Sequence, residues 1–205
     1  MIRLPWGSWN GPAAPPSGFR PGGARNPFNA RDGSRARLHE VDRVTDPARA
    51  TVRSSRASVV RLMVPTDANF TGNVFGGAIL AEIDRVAYIT ATRHAKATCV
   101  TASFDRVDFV APVHVGEVVD FDAVLTFVGH SSMELWVRVR AEALRGGESQ
   151  LVASAFVTMV AVDGSGHPVA VPPLELETEE ERTLFEDGRR RMEERRRLRG
   201  RSAPS

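Results

Sequence analysis

The chain has a single cysteine, Cys99, among 205 residues, so it can form neither an internal disulfide nor a thiolate metal cluster. No stretch approaches the roughly 18 apolar residues a membrane-spanning helix needs, and the N-terminus has arginines without the apolar core of a secretory signal. These absences predict a cytoplasmic protein with no membrane partner. Its five histidines are scattered without zinc-ligand spacing, so no metal is expected. Gly72 to Gly77 lacks both the spacing of a dinucleotide fingerprint and the lysine of a phosphate loop, and Asp163 to His167 lacks a nucleophile elbow. No cofactor is expected either.

What is present is unevenly distributed. The net charge of +2 hides basic flanks and an acidic centre: residues 1–57 carry ten Arg and four acids, residues 58–177 eight bases and fourteen acids. Residues 1–56 are rich in Pro, Gly, Arg and Ser, with apolar side chains too scattered to offset the entropy of ordering, and are expected to be a disordered leader. Trp6, Trp9, Phe19 and Phe28 stand isolated there, which argues against a nucleic-acid arm.

The texture changes at Ala57. Val59 to Val64 reads as a strand ending at Pro65, followed by the turn-forming Thr66 to Asn69. From Phe75 to His94 apolar residues recur at three- and four-residue steps around most of the girth, predicting a buried helix. Thr98–Phe109, Glu117–Val128, Ser132–Leu144 and Leu151–Val162 read as four successive strands with short connections. Five antiparallel strands and one apolar helix make an α+β domain over residues 57–173. Pro172 and Pro173 close it, and Thr178 to Glu181 matches a capping box opening a charged helix in the segment 174–205. That helix is expected to be mainly solvated, resting a few apolar residues on the domain.

Chemistry is sought in Thr66 to Gly77. Two glycines, Gly76 and Gly77, open the buried helix, and two explanations stand: exposed N–H groups for an oxyanion, or close passage of the helix along the sheet. Asn73 either caps the helix or orients a water or carbonyl. Asp84 lies between Ile83 and Val86 and is expected to be a buried carboxylate with raised pKa, hence a candidate general base; the alternative is a salt bridge to Arg85 or Arg106. Seven residues separate Gly77 from Asp84, about 10 Å of helix, so one chain cannot present both to one carbonyl. Two antiparallel helices across a two-fold axis can.

The strings GNVFGG (72–77), IDRVAYITATRH (83–94), VTASFDRVDFVAPVHVGE (100–117), HSSMELWV (130–137) and VPPLELETEEERTLFEDG (171–188) together resemble the hot-dog acyl-CoA hydrolases of the cytosolic, brain-type class and their small bacterial relatives. The resemblance implies a hot-dog fold, with the sheet wrapped around one central helix and the charged helix following. It also implies homodimers assembled as trimers of dimers, and an acyl-CoA substrate. By resemblance Asn73 and Asp84 form the catalytic pair; the N-terminus of the central helix, chiefly Gly77, is the expected oxyanion donor. His130, Ser131 and Ser132 fall near the CoA nucleotide, where they are also ordinary turn residues; Gly76 is a further expected substrate contact, and Arg93 at the helix end is either a phosphate partner or a solvated charge. The rival reading is a non-catalytic acyl-CoA-binding module on the same fold. A hot-dog dehydratase ranks last, because no His lies between His39 and His94.

Overall fold

The computed structural model describes residues 50–201. In chain order these form α1 (Val52–Ser55), β1 (Ala57–Leu62), a 3₁₀ turn (Pro65–Asp67), α2 (Gly76–Ala95), β2 (Thr98–Phe109), β3 (Glu117–Val128), β4 (Ser132–Ala143), β5 (Gln150–Val162) and α3 (Glu179–Arg201). The five strands make one antiparallel sheet in the order β1-β3-β4-β5-β2. The β3–β4 and β4–β5 neighbours are joined by short connections, whereas β1 and β2 occupy opposite edges and α2 links them.

The helix therefore crosses the width of the sheet and packs on its inner face. Ile79, Ile83, Val86, Ala87 and Ala91 meet Phe121, Leu125, Leu135, Val137, Val157 and Met159, all essentially inaccessible. Each large aliphatic side chain so buried contributes about 1.5–3 kcal/mol, and the alanines let the helix lie close to the strands. Cys99 belongs to this core, and burial pushes its thiol pKa up. The helix ends at Lys96 in the left-handed conformation (φ 54°), whose N–H returns to the Thr92 carbonyl at 3.0 Å.

The expected leader is corrected at its inner end. Thr51 caps the single turn of α1 through a reciprocal bond with Ser54, and α1 docks at the far end of α2. There the buried His94 ring contacts Ser55 Oγ through Nδ1 (3.2 Å) and the Pro172 carbonyl through Nε2 (2.9 Å). Arg93 also donates to the Arg56 carbonyl at 2.9 Å. Residues 50–56 are held mainly by polar contacts: these two with α2, the Arg56–Asp122 ion pair with β3 (2.6 Å), and the Glu175 N–H donated to the Ala50 carbonyl (3.0 Å). The remainder of that expectation, residues 1–49, lies outside the described residues.

The capping box at Thr178 and Glu181 forms as expected, but α3 is docked more intimately than a solvated helix. Glu134, on the outer face of β4, is 1% exposed and accepts from Arg191 (2.7 Å), Arg195 (2.8 Å) and Thr126 Oγ1 (2.7 Å). Arg195 also reaches Asp105 at 2.8 Å, and the Arg191 guanidinium lies 4.0 Å from the Phe156 ring centre. Phe185 packs on Phe127 with ring centroids 4.9 Å apart. Gly188 sits where the helix comes closest to the sheet: a Cβ there would stand 2.8 Å from Phe127 Cβ and 3.1 Å from the Thr126 carbonyl oxygen.

Two consequences are measurable. Gly188→Ala should lower unfolding free energy by about 1–3 kcal/mol in a denaturant melt, because the clash outweighs alanine's better helix propensity. For His94, burial lowers the imidazole pKa, the Pro172 carbonyl opposes this, and Lys96 adds to the lowering. The unfolded chain thus binds a proton that the folded chain resists. Stability is present above the free histidine value of about 6.5 and is lost as pH falls below it. Melts at pH 7.5 and 5.5 should show this loss, and His94→Gln should flatten it.

Candidate active site

The segment between β1 and α2 folds as a small hairpin of its own. Asn69 N–H donates to the Asn73 carbonyl (2.7 Å) and Gly72 N–H to the Asn69 carbonyl (3.0 Å), with Gly72 at φ 87° as the turn requires. Asn69 Oδ1 accepts from both the backbone and the hydroxyl of Thr71, at 2.9 and 2.6 Å. Val74 N–H is held by the Val113 carbonyl at 2.8 Å, and Asn73 pairs with His114 as an isolated bridge. Asn73 is not the helix cap: Phe75 occupies that position without a side-chain bond. The turn uses the Asn73 backbone instead, so the capping alternative is corrected.

The space at the two helix-opening glycines is taken by aromatic rings. A Cβ on Gly77 would fall 2.5 Å from the Phe75 ring, and one on Gly76 would fall 3.4 Å from Phe109. The first N–H groups of the helix have no partner within it and carry its positive end. Beside them opens an apolar cleft of about 390 Å³, lined by Val74, Gly76, Ile79, Phe109, Val113 and Val152 among others.

Asp84 is half-buried in the chain rather than buried, and its Oδ1 accepts from Thr101 Oγ1 at 2.5 Å. Neither expected salt bridge forms: Arg85 pairs with Glu82, and Arg106 with Asp108. The buried carboxylate of α2 is Glu82, 4% exposed, which Arg61 of β1 meets at 2.6 Å. Two residues along a helix turn the side chain through about 200°. Glu82 therefore faces β1 while Asp84 faces the opposite edge, β2. Arg61 also meets Asp67 at 2.6 Å, tying the hairpin's first turn to the central helix.

Gly77, Ala81, Asp84 and Tyr88 recur along α2 on a stripe that the sheet does not cover, with Tyr88 43% exposed. Beside it runs the edge strand β2, and Phe109 and Val110 are exposed at its end. The remaining expected contacts lie elsewhere. Arg93 is sixteen residues beyond Gly77, about 24 Å along the helix. The loop of His130, Ser131 and Ser132 is at that same far end, where Ser131 and His130 carbonyls accept from Ala161 and Val171 N–H at 2.9 Å. One chain thus brings Gly76, Gly77 and the apolar cleft together, and Asp84 with Thr101, but not these groups with Arg93 or the His130 loop.

Thr101, Asn69, Arg61 and Glu82 were not singled out from sequence. The available signals were the position of Thr101 on the strand leaving the helix, and the acid pair Glu82 and Asp84 on opposite helix faces. Among the described residues no group of three or more His, Cys, Asp or Glu side chains is placed to hold a metal, and no helix is long and apolar enough to cross a membrane.

The sequence model of the Thioesterase superfamily matches residues 71–147. A Bacillus subtilis protein named an uncharacterized acyl-CoA thioester hydrolase is 41% identical over 143 residues, which is 70% of this chain and 83% of that one. A crystal structure of a hexameric acyl-CoA thioesterase superposes with a TM-score of 0.69 at 44% identity, covering 72% of this chain and 95% of its own. An acyl-CoA hydrolase from Staphylococcus aureus, solved with butyryl coenzyme A, coenzyme A and coenzyme A disulfide, gives 0.68 at 35% identity over 74% of this chain and 93% of its own. The S. aureus hydrolase has also been solved with alanine replacing an asparagine, an aspartate 15 residues later (43 − 28), or a threonine 17 beyond that (60 − 43). Matched in sequence over most of its described length and in its five-stranded sheet with a central helix, the chain belongs to the acyl-CoA thioester hydrolases of the Thioesterase superfamily.

Proposed function

We propose that this protein hydrolyses acyl-CoA thioesters to the free acid and CoA, at a site built from the helix start of one subunit and Asp84 of a second. The observation that carries the residue assignment is a shared pair of intervals. Asn69 stands 15 residues before Asp84 (84 − 69) and Thr101 stands 17 after it (101 − 84), the spacing of the three positions replaced in the S. aureus enzyme. In the folded chain Thr101 and Asp84 touch. Asn73 is 11 residues before Asp84 (84 − 73) and lacks that match, so the asparagine of the pair is assigned to Asn69, with Asn73 shaping its turn.

In this mechanism the thioester carbonyl accepts from the Gly77 N–H at the positive end of α2. Asp84 of the partner, oriented by Thr101, takes a proton from water while Asn69 holds that water or the carbonyl. Water adds to the carbonyl carbon, the C–S bond breaks, and CoA leaves as thiolate and is protonated. General-base assistance supplies about 10² to 10⁴ in rate and one oxyanion donor about 3–4 kcal/mol. A carboxylate attacking the carbonyl directly, through an acyl anhydride, is the alternative route.

The uncovered stripe on α2 supports the second subunit. Two such helices, antiparallel and centred near Ala81, bring Gly77 of each opposite Asp84 of the other. The same arrangement carries Arg93 and the loop of His130, Ser131 and Ser132 to the rim of the neighbouring site, where they would hold CoA phosphates. The apolar cleft beside Gly76 suits an acyl chain. Dimers assembling further, as trimers of dimers, is consistent with the hexameric neighbour.

Thiol release from a short-to-long acyl-CoA panel tests this reading. Asp84→Ala and Asn69→Ala should each lower kcat by about 100-fold or more, and Asn73→Ala by less, with folding and assembly retained. Acyl-CoA binding without turnover by the wild-type protein would favour the non-catalytic binding module instead.

A further inference from the structure

The strand β1 alternates inward and outward side chains, and Arg61 falls on its inward side with Ala57 and Val59. An arginine there is unusual, because that side meets the central helix. Both terminal nitrogens of its guanidinium are engaged. One terminal nitrogen meets Glu82 Oε1 at 2.6 Å and the other Asp67 Oδ1 at 2.6 Å; the two carboxylate side chains are only 6% and 9% exposed. Asp67 in turn organises the hairpin: its second oxygen accepts from Val64 N–H (3.0 Å), and its carbonyl accepts from Phe75 N–H (2.8 Å), the residue that caps α2.

Asp67 lies two residues before Asn69, and Glu82 two residues before Asp84. We infer that Arg61 is a positioning residue for the hydrolysis, a single cation that fixes the height of the Asn69 hairpin and the helix start against α2. This rests on the assignment of Asn69, Gly77 and Asp84 above. The hairpin's internal hydrogen bonds set its own shape but not its place against the helix, and Arg61 makes the ionic contact from Asp67 to α2. The buried acid networks at Glu134, which holds α3 on the outer face, and at Asp122, which pairs with Arg56 and Arg138, include none of these groups. Arg85 also pairs with Glu82 but is 64% exposed and bonds within its own helix, so it neutralises Glu82 without reaching the hairpin.

The experiment compares full-length Asp67→Asn, Arg61→Met and Arg61→Lys with wild type in acyl-CoA hydrolysis, thermal melting and amide hydrogen exchange. Asp67→Asn is the decisive variant: it removes the hairpin's charge but keeps the acceptor for Val64 and leaves Arg61 on Glu82. Misplacement of a site by about 1 Å costs up to about 100-fold, so kcat should fall about 10- to 100-fold with KM within about threefold. Exchange should rise over residues 65–77 alone. Arg61→Lys, which keeps the charge without the two-pronged geometry, should be intermediate. Arg138→Met, which breaks an ion pair with Asp122 on the outer face, should leave kcat within about twofold. Folded Asp67→Asn and Arg61→Met proteins with wild-type kcat would overturn the inference while leaving the hydrolase reading intact. A wild-type protein that turns over no acyl-CoA would overturn both.

Discussion

Everything in this domain follows from a helix that cannot face water. The twenty residues of α2 carry apolar side chains around most of their circumference, so the chain must wrap them, and a five-stranded antiparallel sheet with α2 crossing its inner face is the solution reached. Placing β1 and β2 at opposite edges lets the connection through α2 span the sheet. It also leaves one stripe of the helix, between the sheet edge and solvent, without cover. The proposed site lies where the wrapping stops: Gly77, Asp84 and Tyr88 fall along that gap.

The parts legible in sequence were those governed by a long, regular pattern. The limits read for β2 and β3 coincide with those observed, and α2 differs by one residue at each end, because the β-rich runs and the helical period there are long; bulges interrupt the register of both strands without moving their ends. The four-residue α1 has no room for a period, and its partners are remote in sequence: the His94 ring and the Arg93 guanidinium come from 37 to 39 residues away, and Asp122 from 66. The packing of α3 was hidden for a different reason. A helix crowded with Arg and Glu reads as solvated, yet two of its arginines are partners for a carboxylate on the sheet that is otherwise without water.

Within the proposed site, composition pointed to the segment from Thr66 to Gly77 and to α2, but it misjudged which acid of that helix is buried. An apolar girth around Ile83 and Val86 makes any acid nearby look buried; which acid is buried depends on what faces it. Glu82 looks toward Arg61 and is covered, whereas Asp84 looks toward the edge of the sheet and is not. The asparagines pose the same problem in a loop, where no period exists to say which side chain points inward. Asn69 and Asn73 differ through a backbone turn that only the folded hairpin displays.

The connection from α2 to β2 is just two residues, Lys96 and Ala97. This brevity locks the reading frame of the chain between Asp84 and Thr101. One inserted residue before Ala95 would rotate Asp84 by about 100° relative to the strand, and one inserted at the start of β2 would send Thr101 to the opposite face of the sheet. By contrast, the exposed link from Leu144 to Ser149 can lengthen or shorten without disturbing either residue. Evolutionary change in length is therefore open to this fold at its rim and closed to it along the helix-to-strand passage.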